Sequence, residues 1–274
     1  MGFLTRILQN KLSLLGTIIV AFFFIIAALA PIFAKHDPME QNLGAVLQKP
    51  SANHWCGTDE LGRDILSRTI YGARTSMFIG LTVILISGGL GVLLGAISGY
   101  YGGLFDLLIM RVMETVMAFP TLLLALLIVA ILGSGLEGAI LSVSLASVPR
   151  FALQARGSVL SVREKEYVEA AVVLGQGKFK ILLKHILPNC LAPILVLATL
   201  TLGNSILTVS GLGFLGLGAK PGDPEWGVML SNARGFLRSA PHVAFIPGLA
   251  IALTVLGFNL LGDGLRDVFD VRQE

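Results

Sequence analysis

The sequence predicts an all-α polytopic membrane protein, on three observations. Of 274 residues, 54% are hydrophobic and only 14% charged, against about 25% charged in soluble domains, and the mean hydropathy is +0.81. The apolar residues recur along the whole chain as six stretches near the ~20 residues that a helical crossing needs. The 32 glycines suit membrane helices, where small residues let backbones approach.

The six stretches are residues 12–34, 76–100, 106–132, 136–153, 190–210 and 243–261. The first follows Lys11 and outruns the ~7–15 apolar residues of a cleaved leader. Pro31 after Leu29-Ala30 is a poor cleavage context, so this stretch is expected to be a retained span. Ahead of it, Phe3, Leu4, Ile7 and Leu8 share one helical face, which suggests an elbow lying on the membrane surface. The chain thus divides into residues 1–75, holding the elbow, first span and an outer segment, and a five-span core over 76–274 with a cytoplasmic loop at 158–189. Basic residues set the orientation: the dense cluster from Arg150 to Lys184 favours both termini in the cytoplasm. In the second span Gly91, Gly95 and Gly99 recur every four residues, a row for close helix packing. Pro120 and Pro149 are expected to free backbone carbonyls and kink their helices. Arg111 and Glu114, three apart, are placed to pair as a structural clamp near Asp106.

Several function classes are excluded. The net charge of +3 is not arranged as a basic stripe with interleaved aromatics, so nucleic acid is not a partner. His36, His54, His185 and His242 show no ligand spacing, and no metal site is expected. The topology puts Cys56 and Cys190 on opposite sides, with no disulfide between them. Gly211 to Gly216 fits G-x-G-x-x-G but lacks the strand–helix context of a dinucleotide fold, and no G-x-x-x-x-G-K-[ST] loop occurs. ATP must therefore be bound elsewhere. No nucleophile–base pair or metal constellation marks a catalytic residue. A secondary carrier or channel would need intramembrane ion sites or paired broken helices, and neither is evident.

The informative segment lies in the long inner loop. Ser161 and Glu164 have capping-box spacing, which predicts a helix start near Val162. Glu169-Ala170-Ala171 follows, and Gly175 is suited to stop that helix in the left-handed conformation. A second helix is expected from Gly177 or Lys178 to Pro188. Ala170 and Ala171 leave little side-chain bulk, so a partner's groove can approach the backbone.

This pattern, Glu-Ala-Ala, three residues, Gly, nine residues, then x-x-Leu-Pro, resembles the coupling loop of bacterial ABC importer permeases. The resemblance assigns ATPase coupling to Glu169, Ala170, Ala171, Gly175, Leu187 and Pro188. His185 stands where the broad pattern has isoleucine. His185-Ile-Leu-Pro-Asn189 resembles the peptide and nickel branch, so His185 joins the set. Three further segments agree in order: Gly57 to Arg74, Gly213 to Gly227, and Asn259 to Asp267. Together they resemble the second-type permease of the dipeptide/oligopeptide/nickel family over nearly the whole chain.

The resemblance implies a type I permease fold of six spans in the bacterial inner membrane. It implies a homologous second permease, two ATPase subunits that bind ATP and Mg, and an extracytoplasmic substrate-binding protein. The cargo expected first is di- or oligopeptide, with nickel chelates or glutathione behind. Asp59, Arg63 and Asp64 in the first outer segment, with Glu225 and Trp226 in the last outer loop, are candidates for docking the binding protein through complementary charge. Local ion pairing on an interfacial helix is the competing reading of that cluster.

Overall fold

A computed structural model describes residues 10–270. The first nine residues of the elbow expected over residues 1–10, and the basic Arg272, lie outside them. Among the described residues no strand forms, only an isolated antiparallel bridge between Thr58 and Asp64.

Helix α1, Lys11–Ala28, starts at Asn10, whose side chain accepts from the amides of Leu12 and Ser13. It ends earlier than the apolar run: Leu29 leaves the helical region and a separate turn, Ala30–Phe33, begins with Pro31 in its first positions. A segment over residues 34–64 leads to α2, Ile65–Tyr101, capped by Asp64. This helix is 37 residues long and runs unbroken across the boundary that hydropathy put at residue 76.

The expected third span is not a single rod. It is α3, Gly103–Met117, and α4, Thr121–Leu132, bent by 97°. Pro120 stands at the corner, where it has no N–H to continue α3 and disfavours helical backbone at Phe119. Helix α5, Leu136–Arg163, is ten residues longer than its apolar stretch. Arg150 therefore lies mid-helix, about 20 Å from either end at ~1.5 Å per residue, and the helix carries on past it. Among the described residues, five helices are long and apolar enough to cross a membrane, and the bent pair taken as one span makes a sixth.

Between helices in lipid there is little hydrophobic drive, so close packing and polar contacts must hold the bundle. The glycine row supplies the closest contact. A Cβ at Gly91 would lie 2.7 Å from the Val148 carbonyl oxygen, and one at Gly99 2.9 Å from that of Arg156. At Gly95 it would fall into the Ala152 carbonyl group. Helix α2 thus lies directly on α5. At the loop end of this pair, Arg156 makes a two-pronged ion pair with Asp106 at 2.6 and 2.7 Å, and Ser98 also donates to Asp106. Arg163 donates to the last carbonyls of α2, Gly99 and Tyr100. Arg111 pairs with Glu114 at 3.3 Å on an exposed face.

Candidate functional site

Two polar assemblies lie at opposite ends of the bundle. At one end, α5 gives way to α6, Glu166–Val173. No capping box forms: Ser161 is still inside α5, Glu164 terminates it, and α6 starts from Lys165 without a side-chain cap. The long helix wins because Val159 is fully buried in a core of Ala96, Phe151 and Ala155, which extends α5 past the local signal.

Helix α6 has two faces. Val168 and Ala171 are buried against Ile181, Leu182 and Ile186. Glu169 and Ala170 face outward, and Val173 and Leu174 are 86% and 78% exposed. The helix ends in a Schellman motif: the Gln176 amide donates to Ala171 O at 3.2 Å and the Gly175 amide to Val172 O at 2.9 Å. Gly175 has φ +73, the left-handed geometry that glycine adopts without penalty. A cavity of about 460 Å³ opens beside α6, lined by Tyr100, Tyr101, Arg163, Glu169 and Lys178 among others.

After Gly177 the chain turns into α7, Lys178–Ile181, which does not stop at Pro188. It passes through a π turn, Leu182–Ile186, into α8, Leu187–Phe214. Pro188 supplies no N–H and clashes with the carbonyl one turn back, and the wider i→i+5 turn absorbs both effects. His185 lies in this turn with its Nε2 3.0 Å from Gln176 Oε1, tying the turn to the end of α6. Leu187 is partly buried and Pro188 exposed.

At the other end the expected docking residues are inside the protein. Asp59, Arg63, Asp64, Glu225 and Trp226 are all buried, so their side chains are withheld from any partner surface. Asp59 receives Arg63 at 2.7 Å and Arg68 at 3.4 Å. Arg68 also donates to the carbonyls of Pro38, Gly222 and Asp223, which joins the segment before α2 to the loop after α8. Helix α9, Trp226–Ala233, is capped by Glu225, which accepts from the Gly227 and Val228 amides and from Ser210. Burial pushes the Glu225 carboxyl above its usual range while those hydrogen bonds pull it back. Trp226 donates to Thr69 O at 2.9 Å and stacks edge-on with Phe23. Trp226→Phe should therefore cost about 1 kcal/mol from the lost hydrogen bond plus the cavity left by the smaller ring, and Trp226→Ala about 3–5 kcal/mol; thermal unfolding in detergent checks both. Helix α10, His242–Asp270, completes this end against α1.

Histidines distant in sequence also meet here. His36, His54 and Asp64 bring ligand atoms within 4.8 Å of one another, which sequence spacing did not foretell. His54 Nδ1 is already 2.9 Å from Asp64 Oδ1, and His36 Nε2 is 3.0 Å from Asn53 O.

With this geometry in view, residues 91–274 match the model of the binding-protein-dependent transport system inner membrane component. The chain belongs to that family. Residues 2–50 match the N-terminal transmembrane domain of oligopeptide transport permease C, so the permease is of the dipeptide/oligopeptide type. It is 47% identical to a dipeptide transport system permease protein DppC of Alkalihalophilus pseudofirmus, over 97% of this chain and 88% of that one. It is 42% identical to a glutathione transport system permease protein GsiD of Pectobacterium atrosepticum, over 98% and 89%. In fold, the permease resembles a chain of the MetNI methionine ABC transporter, solved in inward-facing conformations, with a TM-score of 0.61 at 18% identity over 76% of this chain and 97% of that one. The permease is thus a multi-pass inner-membrane transport component.

Proposed function

We propose that this permease imports di- and oligopeptides as half of a heterodimeric path driven by two separate ATPase subunits. The observation that carries the reading is α6: its inner face is anchored by Val168 and Ala171, and its outer face presents Val173 and Leu174 bare beside Glu169 and Ala170. An exposed apolar tip on a firmly seated helix fits a cleft on a cytoplasmic partner. ATP and Mg belong to that partner. Lys165, Lys178, Lys180 and Lys184 around the tip favour the cytoplasmic side, and with it cytoplasmic termini. A binding protein delivers cargo at the opposite end, where the buried clasp of Asp59, Arg63, Asp64, Glu225 and Trp226 holds the outer segments as a platform. ATP favours one of two packings of the spans, and α6 carries the differential contact.

Peptide cargo is the first reading because DppC and di/tripeptide permease relatives are 43–47% identical to this chain. Glutathione, itself a tripeptide, falls in the same chemical class.

The test is a tagged pull-down of the permease with ATP turnover measured before and after substitution. A second permease and ATPases should co-purify, and Glu169→Lys should lose the ATPases or their stimulation by loaded binding protein. Gly175→Val must hold a β-branched residue at positive φ, at a cost of at least about 1–2 kcal/mol. It should cut peptide uptake by about tenfold or more, the equivalent of ~1.4 kcal/mol. Gly177→Ala, with φ −62 and open space around it, should stay within about twofold. A permease that purifies alone and is indifferent to these changes would return the question to a self-sufficient channel or carrier.

A further inference from the structure

The middle of the bundle holds a polar cavity that neither end assembly uses. Its volume is about 220 Å³, and its walls come from α4, α5 and α8. On α8 the polar residues Thr201, Asn204, Ser205 and Thr208 stand at i, i+3, i+4 and i+7, a single stripe on an otherwise apolar helix. Opposite them stands Arg150, with Thr121 at the foot of α4. Arg150 is exposed in the isolated chain yet sits halfway along α5. An arginine at that depth facing hydrocarbon is costly, so such a residue faces a bundle interior or a water-filled path.

The guanidinium is under-used. A guanidinium has five N–H donors. Among the described residues, Arg150 makes one hydrogen bond, to Thr121 Oγ1 at 3.3 Å. No carboxylate of the described residues pairs with it, in contrast to Arg63, Arg68, Arg111 and Arg156. The cavity wall holds no Asp or Glu, so it has nothing to receive an ammonium group. The Ser205 and Thr208 hydroxyls donate to carbonyls of their own helix, which leaves their oxygens free to act as acceptors. The cavity therefore offers one planar cation for an anion and a row of acceptors for amide N–H groups.

We infer that Arg150 is a way-station for the C-terminal carboxylate of the travelling peptide, with the α8 stripe accepting from its backbone amides. This rests on the peptide-import reading. The free carboxylate is the anion that every unmodified linear peptide carries, and the guanidinium fork matches it in geometry as well as charge. A carboxylate of the second permease would satisfy the same fork, and the experiment separates the two sources.

The complete transporter, with both permeases, the ATPases and the binding protein, is reconstituted in proteoliposomes. Uptake is measured for a tripeptide and its C-terminal amide, each at saturating occupancy of the binding protein so that the permease sets the ratio. Arg150→Gln should lower uptake of the free acid by about tenfold or more while leaving the amide within about twofold, because only the acid has a charge-assisted bond to lose. Arg150→Lys, which keeps the charge but not the fork, should recover most of the acid's uptake. Equal loss for both peptides, or loss for neither, overturns the inference. So does separation of the second permease from Arg150→Gln on purification, which would assign the fork to a subunit carboxylate. A wild-type complex that takes up neither peptide would instead sink the peptide reading, and this inference with it.

Discussion

Gly95→Val is expected to leave no assembled permease. The valine Cβ would fall into the Ala152 carbonyl, with Ala152 C and Ala155 Cβ each 2.9 Å away. Those are backbone and fully buried atoms of α5, so no flexible side chain can yield. Relief requires moving α2 from α5, which breaks the contacts of Gly91 and Gly99 on either side as well. Forcing bulk into a packed core costs about 1–3 kcal/mol where side chains can shift, and here they cannot. The measurement is size-exclusion profile and yield in mild detergent, where Gly95→Val should aggregate or vanish. Gly88→Ala is the control. It lies on the same helix, and its new Cβ would meet the Phe151 ring at 3.7 Å, an ordinary contact; yield and profile should match the unaltered protein.

Asp59→Ala is expected to open the opposite end. It removes the carboxylate that two buried guanidiniums share, those of Arg63 and Arg68, and the acceptor of the Leu61 and Arg63 amides. Breaking a buried ion pair from one side costs about 3–5 kcal/mol, because the remaining charge stays buried without compensation. The loss should read out as a lowered unfolding temperature and as protease cleavage within residues 35–64. Glu60→Gln should do little, since Glu60 only supplements Arg63 from a partly exposed position and such pairs are worth about 0–1 kcal/mol. If Asp59→Ala matched Glu60→Gln, the clasp would not be what holds the outer segments together.

Much of this was readable before any coordinates. Long apolar runs located the crossings because a bilayer demands length and hydrophobicity and little else. Gly175 was legible because a helix stop in the left-handed region has few alternatives to glycine. What failed had a common cause: local signals were overruled by packing. Ser161 and Glu164 had capping spacing, but burial of Val159 carried α5 past them. Pro188 reads as a stop, and a π turn lets the helix through. Charge counting groups Arg150 with the basic cluster that follows, and hydropathy does not show that α5 carries on past it to Arg163. The polar stripe on α8 was visible at helical spacing, and only its meeting with Arg150 across the bundle needed three dimensions. Of the two readings of the charged cluster, docking surface or local ion pairs, the structure has the second: Asp59 and Glu60 together balance Arg63 and Arg68.

The π turn has a mechanical consequence. Because Pro188 does not interrupt the helix, residues 178–214 run as one 37-residue element, about 55 Å long at ~1.5 Å per residue. A continuous helix of that length can carry a push from one end to the other. Tilting its lower end, beside Leu174, about a pivot where α8 crosses its neighbours swings Asn204 and Thr208 sideways in proportion to their distance from the pivot. Stroke at the foot and aperture at mid-height are then set by a single lever ratio, fixed by where along the beam the fulcrum lies.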